Sequence, residues 1–254
     1  MMLQAELNRG HAGDIWLQPH SDDICFSLGM LAATRRAGTL LTVFPVANYV
    51  AAGLGQGAAQ TEAITRLRLA EDLAFAAACG LRTGNLGFGS ALQRGQPSFN
   101  AAPAAELAMQ VEAELLAALR GPVLGLLPEP RRWLFCPMGI GGHVDHLAVL
   151  LVVLQHAPLL EQHYRLGFYE DLHYAADPGR RQQGLQQFAR LLNGRAAQRQ
   201  AWALDPVQQQ AKLRLVRLYA SQMTPEIDRM AAYVPAVAGQ PQPHEALWLL
   251  QPAG

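Results

Sequence analysis

Asp14-Ile15-Trp16-Leu17-Gln18-Pro19-His20-Ser21-Asp22-Asp23-Ile24 is the stretch on which the fold turns. Its first half is a short apolar run, which reads as a buried strand. The residues that follow, Cys25 to Ala33, read as a helix. His20, Asp22 and Asp23 therefore stand at a strand-to-helix junction. In an open α/β sheet such junctions lie outside the carboxyl ends of the strands, where ligands bind. His20 and Asp23 are three residues apart, so a turn opening into a helix can present both to one point. Imidazole and carboxylate together suit zinc. Asp22 is left beside such a metal, free to take a proton from a water there. Asp-Asp before a helix is equally an N-cap pair that complements the helix dipole. The turn alone leaves both readings open.

A second stretch tips the balance. Gly141-Gly142-His143-Val144-Asp145-His146 follows the apolar run Trp133 to Pro137 and precedes the helix-like run Leu147 to Leu154. Both His/Asp clusters thus fall at strand-to-helix junctions, and a parallel sheet puts all such junctions on one edge. His20, Asp23 and His146 then supply three ligands and leave a fourth position open, the pattern of a catalytic rather than a structural zinc.

Pro19-His20-Ser21-Asp22-Asp23 with His143-Val144-Asp145-His146 resembles the PIG-L or LmbE-like family of zinc-dependent N-acetylglucosamine deacetylases. The signatures of that family are His-Pro-Asp-Asp after the first strand and His-x-Asp-His after a later one. Arg68-Leu69-Ala70-Glu71-Asp72, running into Cys79-Gly80, is similar to its Arg-x-x-Glu helix. The likeness covers about the first two thirds of the chain, in order. Ser21 stands where the family usually has proline, and Ile24 where many members have glutamate. Gly141 and Gly142 stand where some members have a tyrosine, so a tyrosine that assists the reaction must come from elsewhere.

The resemblance implies an α/β, Rossmann-like fold: a mostly parallel sheet flanked by helices, with a less regular C-terminal part. One domain over residues 1–254 is expected, its core about 14–175 and its C-terminal helices and closing strand within 176–254. It implies one Zn2+ per chain on His20, Asp23 and His146, although other divalent metals suit the same ligands. Asp22 is the expected base. Protonated His143 is expected to stabilise the oxyanion, with Asp145 orienting it through the other ring nitrogen. The implied reaction removes acetate from an N-acetylated amino sugar or sugar conjugate. Arg68 is expected near the sugar. Tyr169 and Asp171, at the end of the strand-like run Leu166 to Asp171, are expected at the substrate; Glu170 is left undecided. Two alternatives stand beside this: a zinc amidase acting on a larger acyl or thiol-sugar conjugate, and a non-catalytic sugar-binding α/β module. Intact acids and histidines in both motifs argue against the module. No Gly-x-Gly-x-x-Gly follows the first strand, which disfavours dinucleotide binding.

Composition bounds the rest. Of 254 residues half are hydrophobic, ample for a sizeable core. Twenty Lys and Arg balance 20 Asp and Glu, so no global field attracts nucleic acid or an anionic membrane. Cys25, Cys79 and Cys136 fall inside expected helices and a strand, with no Cys-x-x-Cys. They read as buried small hydrophobes in a reducing compartment. Met1 to Gly13 lacks the apolar region of a signal peptide, and Leu147 to Leu154 is too short to span a bilayer. The expectation is a soluble cytoplasmic protein with a small-molecule partner, its apolar helix faces leaving room for a homo-oligomer.

Further helices are expected over 61–78, 104–120, 180–192 and 206–219, and strands over 40–46, ending at 86–89, and over 245–250. Leu54 to Ala59 reads as a loop over the active edge, and 121–130 as a Pro- and Gly-punctuated connection. On the helix over 61–78 the plain reading of Arg68, Glu71 and Asp72 is a solvated charged face paired at helical spacing.

Overall fold

The computed structural model describes residues 7, 9–55, 57–120, 132–225 and 242–251. The connection expected over 121–130 lies outside them. Strand β1 (Ile15–Gln18) runs into helix α1 (Asp23–Arg35), and β2 (Thr39–Thr42) follows. A hairpin of β3 (Tyr49–Val50) and β4 (Gly53–Leu54) precedes α2 (Gly57–Cys79) and β5 (Arg82–Asn85). Then come α3 (Ala104–Arg120), β6 (Arg132–Pro137), α4 (Val144–Gln155), the short α5 (Ala157–Leu160) and β7 (Tyr164–Tyr169). The last group is α6 (Leu172–Ala175), α7 (Pro178–Leu191), β8 (Ala197–Ala203), α8 (Pro206–Val216), a 3-10 turn (Ala220–Gln222) and β9 (His244–Leu250).

Seven strands form one sheet in the order β5-β2-β1-β6-β7-β9-β8. The first five pair in parallel, and β9 lies antiparallel between β7 and β8. The chain winds outward from β1 through β2 to β5, then returns to β6 on the other side of β1. The strand order reverses between β1 and β6, the point where open α/β sheets bind ligands. The two His/Asp motifs follow those two strands.

Alternation along the strands builds a core on each face. Ile15 and Leu17 of β1, with Leu134 and Cys136 of β6, pack toward α3, α4 and Phe188 of α7. Trp16, Trp133 and Phe135 pack on the other face, toward α1, the end of α2 and Val216 of α8. The three cysteines are buried and free, as expected.

Helix α1 is kinked at Leu28, whose φ of −130° is not helical. The backbone N–H groups freed there, Met30 and Leu31, donate to the two carboxylate oxygens of Glu245 on β9, each at 2.9 Å. Lys212 of α8, itself buried, pairs with the same carboxylate at 3.0 Å. The last strand of the sheet thus mends a break in the first helix.

The expectations differ from the structure at the edges. The third strand in chain order of the main sheet is Arg82–Asn85, not 86–89. It is the edge strand, largely exposed, and lacks the apolar signal that a buried strand gives. The expected loop over 54–59 is the end of a hairpin and the start of α2. Strand β8, too polar to read as a strand, pairs along its whole length with β9.

Candidate active site

Three side chains converge where β1 and β6 end. His20 Nδ1 and His146 Nε2 are 3.3 Å apart. Asp23 Oδ1 is 3.4 Å from His146 Nε2, and Asp23 Oδ2 is 3.7 Å from His20 Nδ1. Ligand atoms on a tetrahedral zinc with bonds of ~2.0–2.1 Å stand roughly 3.3–3.4 Å apart. The two histidine nitrogens stand at that spacing, and Asp23 approaches each of them through a different oxygen. The other ring nitrogen of each histidine is held by a carboxylate: His20 Nε2 by Asp145 at 2.7 Å and His146 Nδ1 by Asp171 at 2.6 Å. Such partners fix the tautomer and aim the free nitrogen. His20, His143 and His146 also have one ring nitrogen each within 4.8 Å of one another, a grouping of metal-ligand type among the described residues.

The carboxylates decide the charge the spot favours. Burial works to lower the His146 imidazole, but Asp23 and Asp171 outweigh it and lift it to about 9. Asp171 is itself fixed, its Oδ2 accepting from Ile140 N at 2.8 Å. Asp145 is held by Ala91 N at 3.0 Å and Arg94 Nη2 at 2.7 Å.

Asp22 is no ordinary helix cap. Its side chain makes no capping bond, and its φ of +115° lies in the left-handed region that non-glycine residues avoid. Strain of this kind gathers at functional sites. Burial pushes its carboxyl well above the usual range, with Arg68 working against it. Arg68 Nη2 stands 3.5 Å from Asp22 Oδ2 and donates to Ser21 O at 2.6 Å. Arg68 Nε is buried and has no partner among the described residues.

His143 caps α4. Its Nδ1 accepts from Asp145 N at 3.2 Å, so in the neutral ring the proton sits on Nε2. Burial first, then the neighbouring His20 and His146 rings, push this imidazole down to about 2. Two expectations change here. His143 is held neutral rather than protonated, and the Asp145 carboxylate orients His20, not His143. The reason is local: Asp145 sits on the first turn of α4 and gives His143 only its backbone N–H.

One cavity of about 350 Å³ opens at this point, and the fully buried His146 and Asp145 are not part of its lining. His20, Asp22, Asp23, Arg68 and His143 line it. Tyr169 does not reach it. Its ring is fully buried in the core on the α1 side of the sheet, and its hydroxyl donates to Leu17 O at 3.1 Å. Asp171 stands behind His146 instead of facing substrate. Glu170 is structural: it accepts from Arg181 at 2.7 Å, Arg199 at 2.8 Å and Trp248 at 3.0 Å.

The plain reading of α2 is overturned. Arg68, Glu71 and Asp72 are all buried. Asp72 collects Gln18, Ser21, Thr42 and Tyr219 side chains at 2.8–3.0 Å. Ser21, the departure from proline, is thereby tied to the helix. Glu71 accepts from Ser221 N at 2.7 Å and Ser221 Oγ at 2.6 Å, which fixes the 3-10 turn and brings Gln222 to the cavity wall.

Gln222, His173 and Tyr174 line the cavity as well. Tyr174 fills the room left open by Gly141. A Cβ on that glycine would lie 2.6 Å from Tyr174 Cγ, and its φ is +94°. Here a tyrosine does reach the site from elsewhere in the chain.

No family model matches the chain. It is 33% identical over 186 residues to the 2′-N-acetylparomamine deacetylase of Streptomyces fradiae, covering 68% of this chain and 61% of that protein. The chain thus spans about three fifths of the length of that curated relative. A deacetylase of the teicoplanin biosynthesis pathway superposes with a TM-score of 0.68 at 19% identity, over 94% of this chain and 98% of that one. The zinc-inhibited form of the teicoplanin deacetylase Orf2 superposes with a TM-score of 0.66 at 18% identity, over the same shares. The chain has the fold of these solved deacetylases.

Proposed function

We propose that the protein hydrolyses the N-acetyl group of an amino sugar or amino-sugar conjugate, with zinc on His20, Asp23 and His146. The observation that carries this is the convergence of those three side chains beside the buried, strained Asp22. The sequence identity to a sugar N-deacetylase supports it. Bound there, zinc polarises an amide carbonyl and lowers the pKa of a water from ~15.7 toward ~7.

The remaining work falls to the chain. Asp22, buried and with a raised pKa, takes a proton from the water that adds to the amide carbon. Neutral His143 donates from Nε2 to the oxygen on which negative charge develops. Asp22 then returns the proton to the nitrogen as the C–N bond breaks, leaving acetate and a free amine. Asp145 and Asp171 act by position, each aiming one histidine. Arg68 holds Asp22 and Ser21, and its side chain, which lines the cavity, offers a donor to a sugar hydroxyl.

The test pairs metal content of the purified protein with acetate release from a panel of N-acetylated sugars. Metal at about one per chain together with acetate release supports the reading. Protein that takes up no zinc overturns the site, and zinc-loaded protein that releases acetate from no sugar or sugar conjugate overturns the reaction.

A further inference from the structure

The cavity changes character from its inner end to its mouth. Its lining carboxylates, Asp22 and Asp23, lie at the inner end with the histidines. The exposed end carries two aromatic rings. Tyr49 and Phe99 both line it and are among the few large hydrophobic side chains left exposed, at 37% and 60%. Leu54, 57% exposed, is the cross-strand partner of Tyr49 in the β3–β4 hairpin.

These groups are held in place. The Phe99 ring stands edge-on to His143 at 5.6 Å and to Tyr174 at 5.7 Å. The adjacent Ser98 carbonyl accepts from Val144 N at 2.8 Å, tying this loop to the start of α4. The hairpin is tied by Ala51 N to Ser221 O at 2.7 Å, on the turn that brings Gln222 to the wall. Fixed, exposed aromatic groups at a site opening are apolar surface that a bound molecule would cover. A positive charge stands beside Phe99: the Arg180 guanidinium lies over its ring, 5.8 Å from the centroid.

We propose that the Tyr49–Leu54 hairpin and Phe99 form a subsite for an alkyl or aromatic aglycone attached directly to the amino sugar, and that this subsite disfavours polycationic aglycones. It rests on the proposed sugar deacetylation, whose substrate class it narrows. Burying apolar surface against the two rings lowers KM for such a conjugate. A polyamine meets Arg180, and among the described residues that line the cavity the only carboxylates are Asp22 and Asp23.

The experiment compares methyl, octyl and cationic aminocyclitol glycosides of N-acetylglucosamine, with octyl glucosaminide binding followed in parallel by calorimetry. The expected result is a kcat/KM at least ten-fold higher for octyl than for methyl, with the cationic glycoside poorest. Phe99→Ser and Tyr49→Ser each bring the octyl-to-methyl ratio toward one. Leu73→Ser, an exposed position away from the cavity, leaves the ratio unchanged. Equal kcat/KM for octyl and methyl, or a preference for the cationic glycoside, overturns the subsite and leaves the deacetylase reading standing. If no glycoside is turned over, that reading falls and calorimetry decides the subsite. Octyl glucosaminide binding ten-fold tighter than methyl upholds it, and equal binding overturns it.

Discussion

At the residue scale, Asp22 separates catalysis from metal binding. It is not one of the three converging side chains, so Asp22→Asn is expected to keep about one metal per chain. It is expected to lower kcat by roughly 10²–10⁴. Metal analysis beside steady-state kinetics checks both. Asp145→Asn tests the orienting role: with His20 less well held, zinc affinity is expected to fall about 10–100-fold, read by competition with a chelator. Gly141→Ala drives a methyl group into Tyr174 and strains a positive φ. It is expected to lower the melting temperature and kcat/KM, and the loss of stability shrinks in a Tyr174→Ala background because the clash is gone. His20, Asp23 and His146 were legible because their chemistry is local: short spacings at two strand ends. Tyr169 was misplaced because strand alternation alone does not say which face reaches a cavity. Tyr174 and Gln222 are delivered by the short α6 and the 3-10 turn, whose positions depend on distant packing.

At the scale of elements, the regular helices and buried strands announced themselves through apolar runs and periodicity, while β5 and β8 did not. Both are at sheet edges and carry polar residues that an edge tolerates. Helix α2 was misread for another reason. Its charged residues are satisfied by partners far along the chain: Asp72 by Tyr219, 147 positions away, and Glu71 by Ser221, 150 away. The face that is solvated lies further back, at the exposed Glu62–Arg66 pair. Glu170 clamps β7 to α7, β8 and β9. Burial works to raise its carboxyl, but Arg181 and Arg199 outweigh it and hold it down to about 2, from an ordinary 4.5. A depressed folded-state pKa gives stability that is present above about 4.5 and lost as pH falls toward 2. Glu170→Gln is therefore expected to cost up to roughly 3 kcal/mol at neutral pH. Its deficit against the parent narrows below pH ~4, as urea unfolding at several pH values reads directly.

At the scale of the molecule, the switch point explains why two motifs 120-odd positions apart share one site: β1 and β6 are neighbours although the chain makes β2 and β5 between them. Any cation that binds there joins α1 to α4 across the sheet. Zinc at 100 times its Kd is expected to add about 2.7 kcal/mol, raising Tm by several degrees in a calorimetric scan, and a chelator is expected to reverse the rise. Among the described residues no helix is long and apolar enough to cross a membrane.

Strand β9 is made last among the described elements yet lies inside the sheet, between β7 and β8. A ribosome releases the chain from its N-terminus, so every ligand and every orienting carboxylate of the site emerges before this strand does. Until it inserts, β7 presents an open edge, Lys212 lacks its buried counter-charge, and two amides of the broken α1 lack Glu245. Nascent chains halted just short of residue 244 would carry a complete set of chemical groups on an unfinished sheet, with an edge free to pair with another chain. Completion of the sheet, and with it of the break in α1, waits on β9.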